Sequence, residues 1–186
     1  MNSRPYAPML ESLRRVIGIG LARWHFRRQT EGPISFTRAV TDARHALLIL
    51  PLEGLEIPPL VPILEVLRQK FQDKHITVIT ALHSVELMRS LPQGRFIRID
   101  PLDITPFFLP RPVMLQRMPR PSYDLAIDLN LDFKLPSGYI CRESNARIRV
   151  GFTGDQSDLF YNFLVRTSAV PGKQRYRQLA AYLEMF

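Results

Sequence analysis

The chain has 186 residues, a length that suits one domain with a complete hydrophobic core. Hydrophobic residues make up 46% of it, which argues against wholesale disorder, and its single cysteine excludes a fold built on disulfide bonds. No run of about 18 uncharged apolar residues is present, and the amino-terminal residues lack the pattern of a cleaved signal peptide. A cytoplasmic location is therefore the default expectation.

The excess of positive charge is concentrated near the amino terminus. The chain carries 25 Lys and Arg against 17 Asp and Glu, and residues 1–45 hold eight arginines but only three acidic residues. A basic segment favours an anionic partner, such as nucleic acid, an anionic lipid surface or a phosphorylated ligand. Because no nucleic-acid-binding motif accompanies these arginines, the sequence does not favour nucleic acid.

The first predicted element is an amphipathic helix from Pro8 to about Arg28. Its apolar residues recur at spacings of three and four, as on one face of a helix: Met9, Leu13, Val16, Ile17, Leu21 and Trp24. The simplest interpretation is that this apolar face packs on the rest of the domain and leaves the arginines in solvent.

The alternative for this helix is peripheral attachment to the inner face of the cytoplasmic membrane. A basic amphipathic helix can lie in an anionic bilayer surface, here with Trp24 and Phe26 near the interface. The residues predicted to contact the membrane are Arg14, Arg15, Trp24, Arg27 and Arg28.

Strands and helices alternate over the rest of the chain. Five short apolar runs predict strands at 46–50, 76–81, 95–99, 125–129 and 148–152. Helical spacing predicts helices at 60–71, 84–91, 137–144 and 174–186. Six prolines within 101–122 predict an irregular crossover with one helical turn near 113–117. The alternation predicts an open parallel sheet flanked by helices, a Rossmann-like α/β domain over 46–186 that follows a basic helical extension over 1–45.

Two predicted loops at the carboxyl ends of strands carry candidate chemistry, because ligands bind at that edge of such sheets. Glu53 and Glu56 follow the first strand, where either could act as a general base if burial raised its pKa, or could be a solvated acid before a helix. Asn130, Asp132 and Lys134 follow the fourth strand. They could line an acceptor- or ligand-binding cleft, or shape the turn and cap the next helix.

Other kinds of chemistry have no supporting pattern. The sequence contains no dinucleotide fingerprint, no P-loop and no Gly-x-Ser-x-Gly elbow, so no cofactor is predicted. The four histidines and one cysteine lack metal-ligand spacing, so no metal site is predicted. Cys141 is expected to be a small core residue, and Asp128, inside an apolar run, requires hydrogen-bond partners.

Two segments carry a family resemblance: YDLAIDL at 123–129 and NARIRVGF at 145–152. They are similar to the YDLVIDLQ-like and AxxRIGF-like strands of glycosyltransferase family 9, the ADP-heptose:lipopolysaccharide heptosyltransferases. The order of strands and helices over about 45–165 fits the same family. The resemblance implies half of a GT-B architecture, in which this half receives the sugar acceptor and a second domain binds the nucleotide-sugar donor.

The chain departs from the family pattern after its first strand. The family has a Gly-Asp pair there, with the Asp proposed as the catalytic base, whereas this chain has EGLEIP at 53–58. Glu56 is the nearest substitute, but its side chain is longer by one methylene, and a misplacement of about 1 Å can reduce a rate about 100-fold. The 186 residues also leave no room for a donor domain.

These observations lead to one functional expectation and two alternatives. We expect a family-9-like single domain without independent catalysis, which binds a glycan or glycolipid acceptor, or a donor-domain protein, in lipopolysaccharide-type envelope metabolism. One alternative is the acceptor half of an active heptosyltransferase. The other is a membrane-surface or protein-interaction module built on the first helix.

Overall fold

Six strands form one parallel sheet in the part of the chain that the computed structural model describes, residues 6–29, 32, 39, 41–82, 85–119, 123–166 and 172–184. They are β1 (Ala46–Ile49), β2 (Ile76–Thr80), β3 (Arg95–Arg98), β4 (Leu125–Asp128), β5 (Ile148–Phe152) and β6 (Phe163–Val165). Their order is β3-β2-β1-β4-β5-β6, and every neighbouring pair is parallel. This is the strand order of a Rossmann fold, so the predicted fold class is confirmed.

Helices cover both faces of the sheet. They are α1 (Tyr6–Phe26), α2 (Val61–Lys70), α3 (Val85–Ser90), α4 (Pro112–Leu115), α5 (Leu135–Glu143) and α6 (Gly172–Glu184). One buried cluster joins α2 and α6 to the sheet, and a second joins α1 and α5 to its other face. Side chains of β1 alternate between the two clusters, which is why its sequence is a continuous apolar run.

The amino-terminal helix packs by a different face from the predicted one. From Met9 to Phe26 its buried residues are Gly18, Ala22 and Phe26, whereas the whole predicted apolar stripe is exposed. Gly18 lies so close to the carbonyl oxygen of Phe107 that a Cβ would have no room there. The interpretation that the stripe packs on the domain is therefore wrong, because small residues on the opposite face allow α1 to approach the sheet layer closely.

Two other differences concern the carboxyl-terminal half. The sixth strand is not predicted from the sequence, because three residues in an edge strand, two of them partly exposed, give too short a pattern. The helix predicted at 137–144 begins two residues earlier, at Leu135, with Pro136 in its first turn, a position where proline is tolerated. The last predicted helix is present as α6, and residues 185 and 186 lie outside the described residues.

Candidate functional site

Both predicted site loops leave the sheet at the same place, the carboxyl ends of β1 and β4. These strands are neighbours, but β1 connects towards β2 on one side of the sheet and β4 towards β5 on the other. Connections that diverge in this way leave a crevice between the two strand ends, and ligands of open α/β sheets bind there. This crevice is the space between the loops that follow β1 and β4.

The side chain of Asn130 ties the two loops together beneath this crevice. Its Oδ1 accepts a hydrogen bond from the backbone N–H of Leu52 at 3.0 Å. Its Nδ2 donates to Oδ1 of Asp128 at 2.7 Å. Asn130 is buried, so this predicted ligand-binding residue holds the loops in place rather than presenting its amide at the surface.

Asp128 is the centre of a buried polar network below the loops. Only 1% of its surface is exposed, and its carboxylate accepts hydrogen bonds from the backbone N–H of Asn130 at 2.9 Å and from the Tyr161 hydroxyl at 2.6 Å. Burial raises the pKa of Asp128 above its ordinary value, although these donors oppose the rise. The expectation that this carboxylate finds hydrogen-bond partners is confirmed.

Tyr161 reaches Asp128 because residue 151 is a glycine. A Cβ on Gly151 would lie within 2.7 Å of carbon atoms of the Tyr161 ring, closer than real contacts allow. Burial raises the pKa of Tyr161 well above its ordinary value, so the hydroxyl keeps its proton and donates a hydrogen bond to the carboxylate. The network therefore connects β1, β4 and the segment before β6, and it fixes the floor of the crevice.

Charged side chains from both loops meet at the mouth of the crevice. Nζ of Lys134 lies 2.8 Å from Oε2 of Glu53, and together with Asp132 they line a cavity of about 250 Å³. Arg15 and Glu11 of α1 line the same cavity from the opposite side. The structure thus brings together three residues that the sequence predicts for a site, one acid from the first loop and an acid and a lysine from the second.

A second cavity continues this cleft along the sheet edge towards β5. Its volume is about 650 Å³, and Arg15, Asp132 and Phe133 line both cavities. The additional lining residues include Asp155 and Gln156, which follow β5, and Arg175 of α6. Polar groups therefore border the carboxyl edge of the sheet from β1 to β5.

Helix α1 forms one wall of this cleft. The guanidinium of Arg15 donates a hydrogen bond to the carbonyl oxygen of Phe133 at 2.9 Å, and Arg23 donates to the side chain of Gln156. The sequence predicts that Arg15 contacts a membrane, but it lies on the inner face of α1 and belongs to the cleft. Phe26, predicted near a membrane interface, is buried against the ring of Tyr139.

One candidate residue, Glu56, and the single cysteine, Cys141, lie apart from the cleft. Glu56 is exposed and lines neither of the two cavities, so this candidate general base does not border the crevice mouth. Cys141 is fully buried, and burial raises the pKa of its thiol well above the ordinary value, as expected for a core residue. Among the described residues, no three His, Cys, Asp or Glu side chains converge where they could hold a metal ion.

Sequence reasoning did not identify Arg15 and Tyr161 as parts of this region. Arg15 contacts a residue 118 positions later, and Tyr161 contacts one 33 positions earlier, so neither has a local sequence signal. No protein-family model matches this chain, and no curated protein or solved structure matches it significantly. A function therefore has to be inferred from the geometry of the cleft.

Proposed function

We propose that this chain is a glycosyltransferase-family-9-like domain that binds a glycan or glycolipid acceptor of the cell envelope without completing sugar transfer by itself. The observation that supports it most is the meeting of Glu53, Asp132 and Lys134 at the switch point of the parallel sheet. Those residues come from the two loops that correspond, by resemblance, to the acceptor side of that family.

The side chains at the crevice suit a ligand rich in hydroxyl groups. A hydroxyl both donates and accepts hydrogen bonds, so it can pair with the carboxylates of Glu53 and Asp132 and with the ammonium of Lys134. Pockets for drug-sized ligands have volumes of about 300–1,000 Å³, whereas the cavity at the crevice mouth has about 250 Å³. One sugar unit in this cavity, with the remainder of a larger glycan in the neighbouring 650 Å³ cavity, fits this arrangement.

The placement of the acidic residues supports binding rather than catalysis. A general base requires a carboxylate within about 2.6–3.2 Å of the hydroxyl that it deprotonates, in surroundings that tune its pKa. The Glu53 side chain is 77% exposed, and its Oε2 is paired with Lys134. Glu56 lines neither cavity. On this proposal the transfer step needs groups that the cleft residues do not supply.

Substitution of Lys134 by alanine tests the proposed site. We expect Lys134→Ala to weaken binding of deacylated lipopolysaccharide core oligosaccharide about 10-fold or more, the loss that follows removal of a charge-assisted hydrogen bond. Titration calorimetry measures the dissociation constants. The fold should persist, because an exposed ion pair contributes little to stability. Lys74→Ala is the matched control. Lys74 is an exposed lysine just before β2, at the amino ends of the strands and so opposite the crevice.

The same preparation separates the outcomes. If the Lys134→Ala and Lys74→Ala variants bind the oligosaccharide with equal affinity, the crevice is not the binding site. If the unmodified chain does not bind the oligosaccharide, the proposal of acceptor binding is wrong. Incubation with ADP-heptose should leave the oligosaccharide unchanged in mass. Clear turnover would establish an active transferase instead.

A further inference from the structure

The outward face of α1 is an apolar surface with nothing packed on it among the described residues. Trp24 is 62% exposed, Leu13 55% and Met9 75%, and the other large apolar side chains of this outer face are Leu10, Ile17 and Leu21. Contiguous apolar patches of this kind are rare on monomeric proteins and mark interaction surfaces.

The outer face is a consequence of how α1 is held. Gly18, Ala22 and Phe26 recur every four residues and are buried, whereas the six apolar residues of the outer face lie on the other side of the helix. Val16 is also exposed, but it borders the 650 Å³ cavity and does not belong to the outer face. The inner contacts of Arg15 with Phe133, and of His25 with Glu143, keep α1 in this orientation. The apolar side chains of the outer face therefore point away from the domain.

The charges around the outer face are positive. Arg14, Arg27 and Arg28 are exposed, and the guanidinium carbon of Arg27 lies 5.0 Å from the centre of the Trp24 ring. Glu11 is the only acidic residue in the α1 sequence, and it lines the cavity on the inner side. An apolar stripe with a cationic rim is complementary to an anionic lipid surface.

A second copy of the chain is a poorer match for the same face. In a symmetric dimer this patch would pair with itself and bring the same arginines together, and like charges oppose such contacts. Among the described residues no helix combines the length and the apolar character needed to cross a bilayer. The matching geometry is therefore a helix that lies along the surface of a membrane.

We propose that the outer face of α1 docks the chain on an anionic lipid bilayer, with Trp24 and its apolar neighbours in the interface and the arginines among the lipid headgroups. This proposal does not depend on acceptor binding in the crevice. It also assigns the two faces of α1 different roles, since the inner face borders the cleft while the outer face contacts lipid.

The single tryptophan of the chain makes the proposal directly measurable. Vesicles of phosphatidylcholine and phosphatidylglycerol should shift the Trp24 emission to shorter wavelength and sediment the full chain. Pure phosphatidylcholine vesicles should do so about 100-fold more weakly, because three exposed arginines lose their anionic partners. High salt should remove most of that difference.

Two matched triple variants locate the contact. Leu10→Ser, Leu13→Ser and Ile17→Ser together should reduce binding to the anionic vesicles at least about 100-fold while keeping Trp24 as the probe. The control carries Leu82→Ser, Leu102→Ser and Val113→Ser, three exposed apolar residues outside α1, and should bind like the unmodified chain. Equal sedimentation of both triples, an unchanged Trp24 spectrum in sedimented protein, or no binding to anionic vesicles would each overturn the proposal. If sedimentation equilibrium shows that the chain self-associates through α1, the partner of the outer face is a second copy of the chain rather than lipid.

Discussion

Substitution of Asp128 by alanine should lower the free energy of unfolding by about 3 kcal/mol or more, measured by urea denaturation. The buried carboxylate accepts hydrogen bonds from the backbone and side chain of Asn130 and from Tyr161. Alanine leaves these donors without their acceptor, and each unsatisfied buried group costs about 1–3 kcal/mol. The cavity left by the carboxylate adds to the loss. A stability close to that of the unmodified chain would show that the network does not hold the crevice floor.

Asp128→Asn is the conservative control. Asparagine keeps the side-chain size and one carbonyl oxygen for the two Asn130 donors, and its NH₂ can donate to the hydroxyl oxygen of Tyr161. We expect a loss of about 1 kcal/mol at acidic pH. The difference between the alanine and asparagine variants therefore measures the hydrogen-bond network rather than the charge alone.

The pH dependence of the unmodified chain and of Asp128→Asn follows from the raised pKa of Asp128. Burial raises this pKa in the folded state above the ordinary value of 3.8. Between the ordinary and the raised value the folded state binds more protons than the unfolded state, so the stability of the unmodified chain falls as the pH rises through that window. The substituted amide does not titrate, and so the cost of Asp128→Asn should be largest below pH 3.8 and should shrink as the pH rises. A cost that stays constant or grows with pH contradicts this account.

Truncation of Phe26 should have an effect of similar size. Its ring is buried, lies 4.9 Å from the Tyr139 ring and 6.2 Å from the Phe160 ring, and carries the Arg142 guanidinium above it at 4.8 Å. We expect Phe26→Ala to lower the free energy of unfolding by about 3–5 kcal/mol, as for other buried phenylalanines. Faster tryptic cleavage at the arginines of α1 should accompany the loss.

Trp24→Ala is the internal control for that experiment. Trp24 lies two residues away on the same helix but is mostly exposed, so its removal should change stability by no more than about 0.5 kcal/mol. Equal effects of the two truncations on unfolding would mean that α1 is not held by its inner face. The pair therefore tests the orientation of α1, on which the membrane proposal depends.

The fold class could be predicted because the sheet is parallel and buried. Strands such as β1 are covered on both faces, which leaves continuous apolar runs that alternate with helical spacing. The edge strand β6 has only three residues and lies partly exposed, so it has no such run. The formation of a short edge strand depends on pairing with the neighbouring strand more than on the strand's own sequence.

The orientation of α1 could not be predicted from periodicity. The helix has two apolar faces. Periodicity predicts that the face with the larger hydrophobic side chains is the packed one, because it takes only side-chain hydrophobicity into account. The face that packs contains Gly18 and Ala22, whose value is close approach rather than hydrophobicity. Phe26 and the partly buried Ile19 are the only large apolar side chains of α1 that pack on the buried cluster shared with α5 among the described residues, and two residues give too little pattern to predict the packed face.

The residues at the mouth of the crevice could be predicted in part, whereas the hydrogen-bond network beneath them could not. Parallel strands release their loops at one edge, so Glu53, Asp132 and Lys134 could be expected near each other. The network beneath them needs Tyr161 from the segment before β6 and a glycine at 151 to admit its ring. Contacts between such distant residues have no local sequence pattern.

The most direct test of ligand binding in the crevice is an NMR titration of the isotope-labelled chain with deacylated lipopolysaccharide core oligosaccharide. If the switch-point crevice binds the acceptor, the largest shift changes should fall on the backbone amides of Leu52, Glu53, Asp132 and Lys134, with smaller ones near Gln156. Amides at the opposite edge, such as those of Lys74 and His75, should not move. Changes confined to that opposite edge, or no changes at saturating oligosaccharide, would contradict the account.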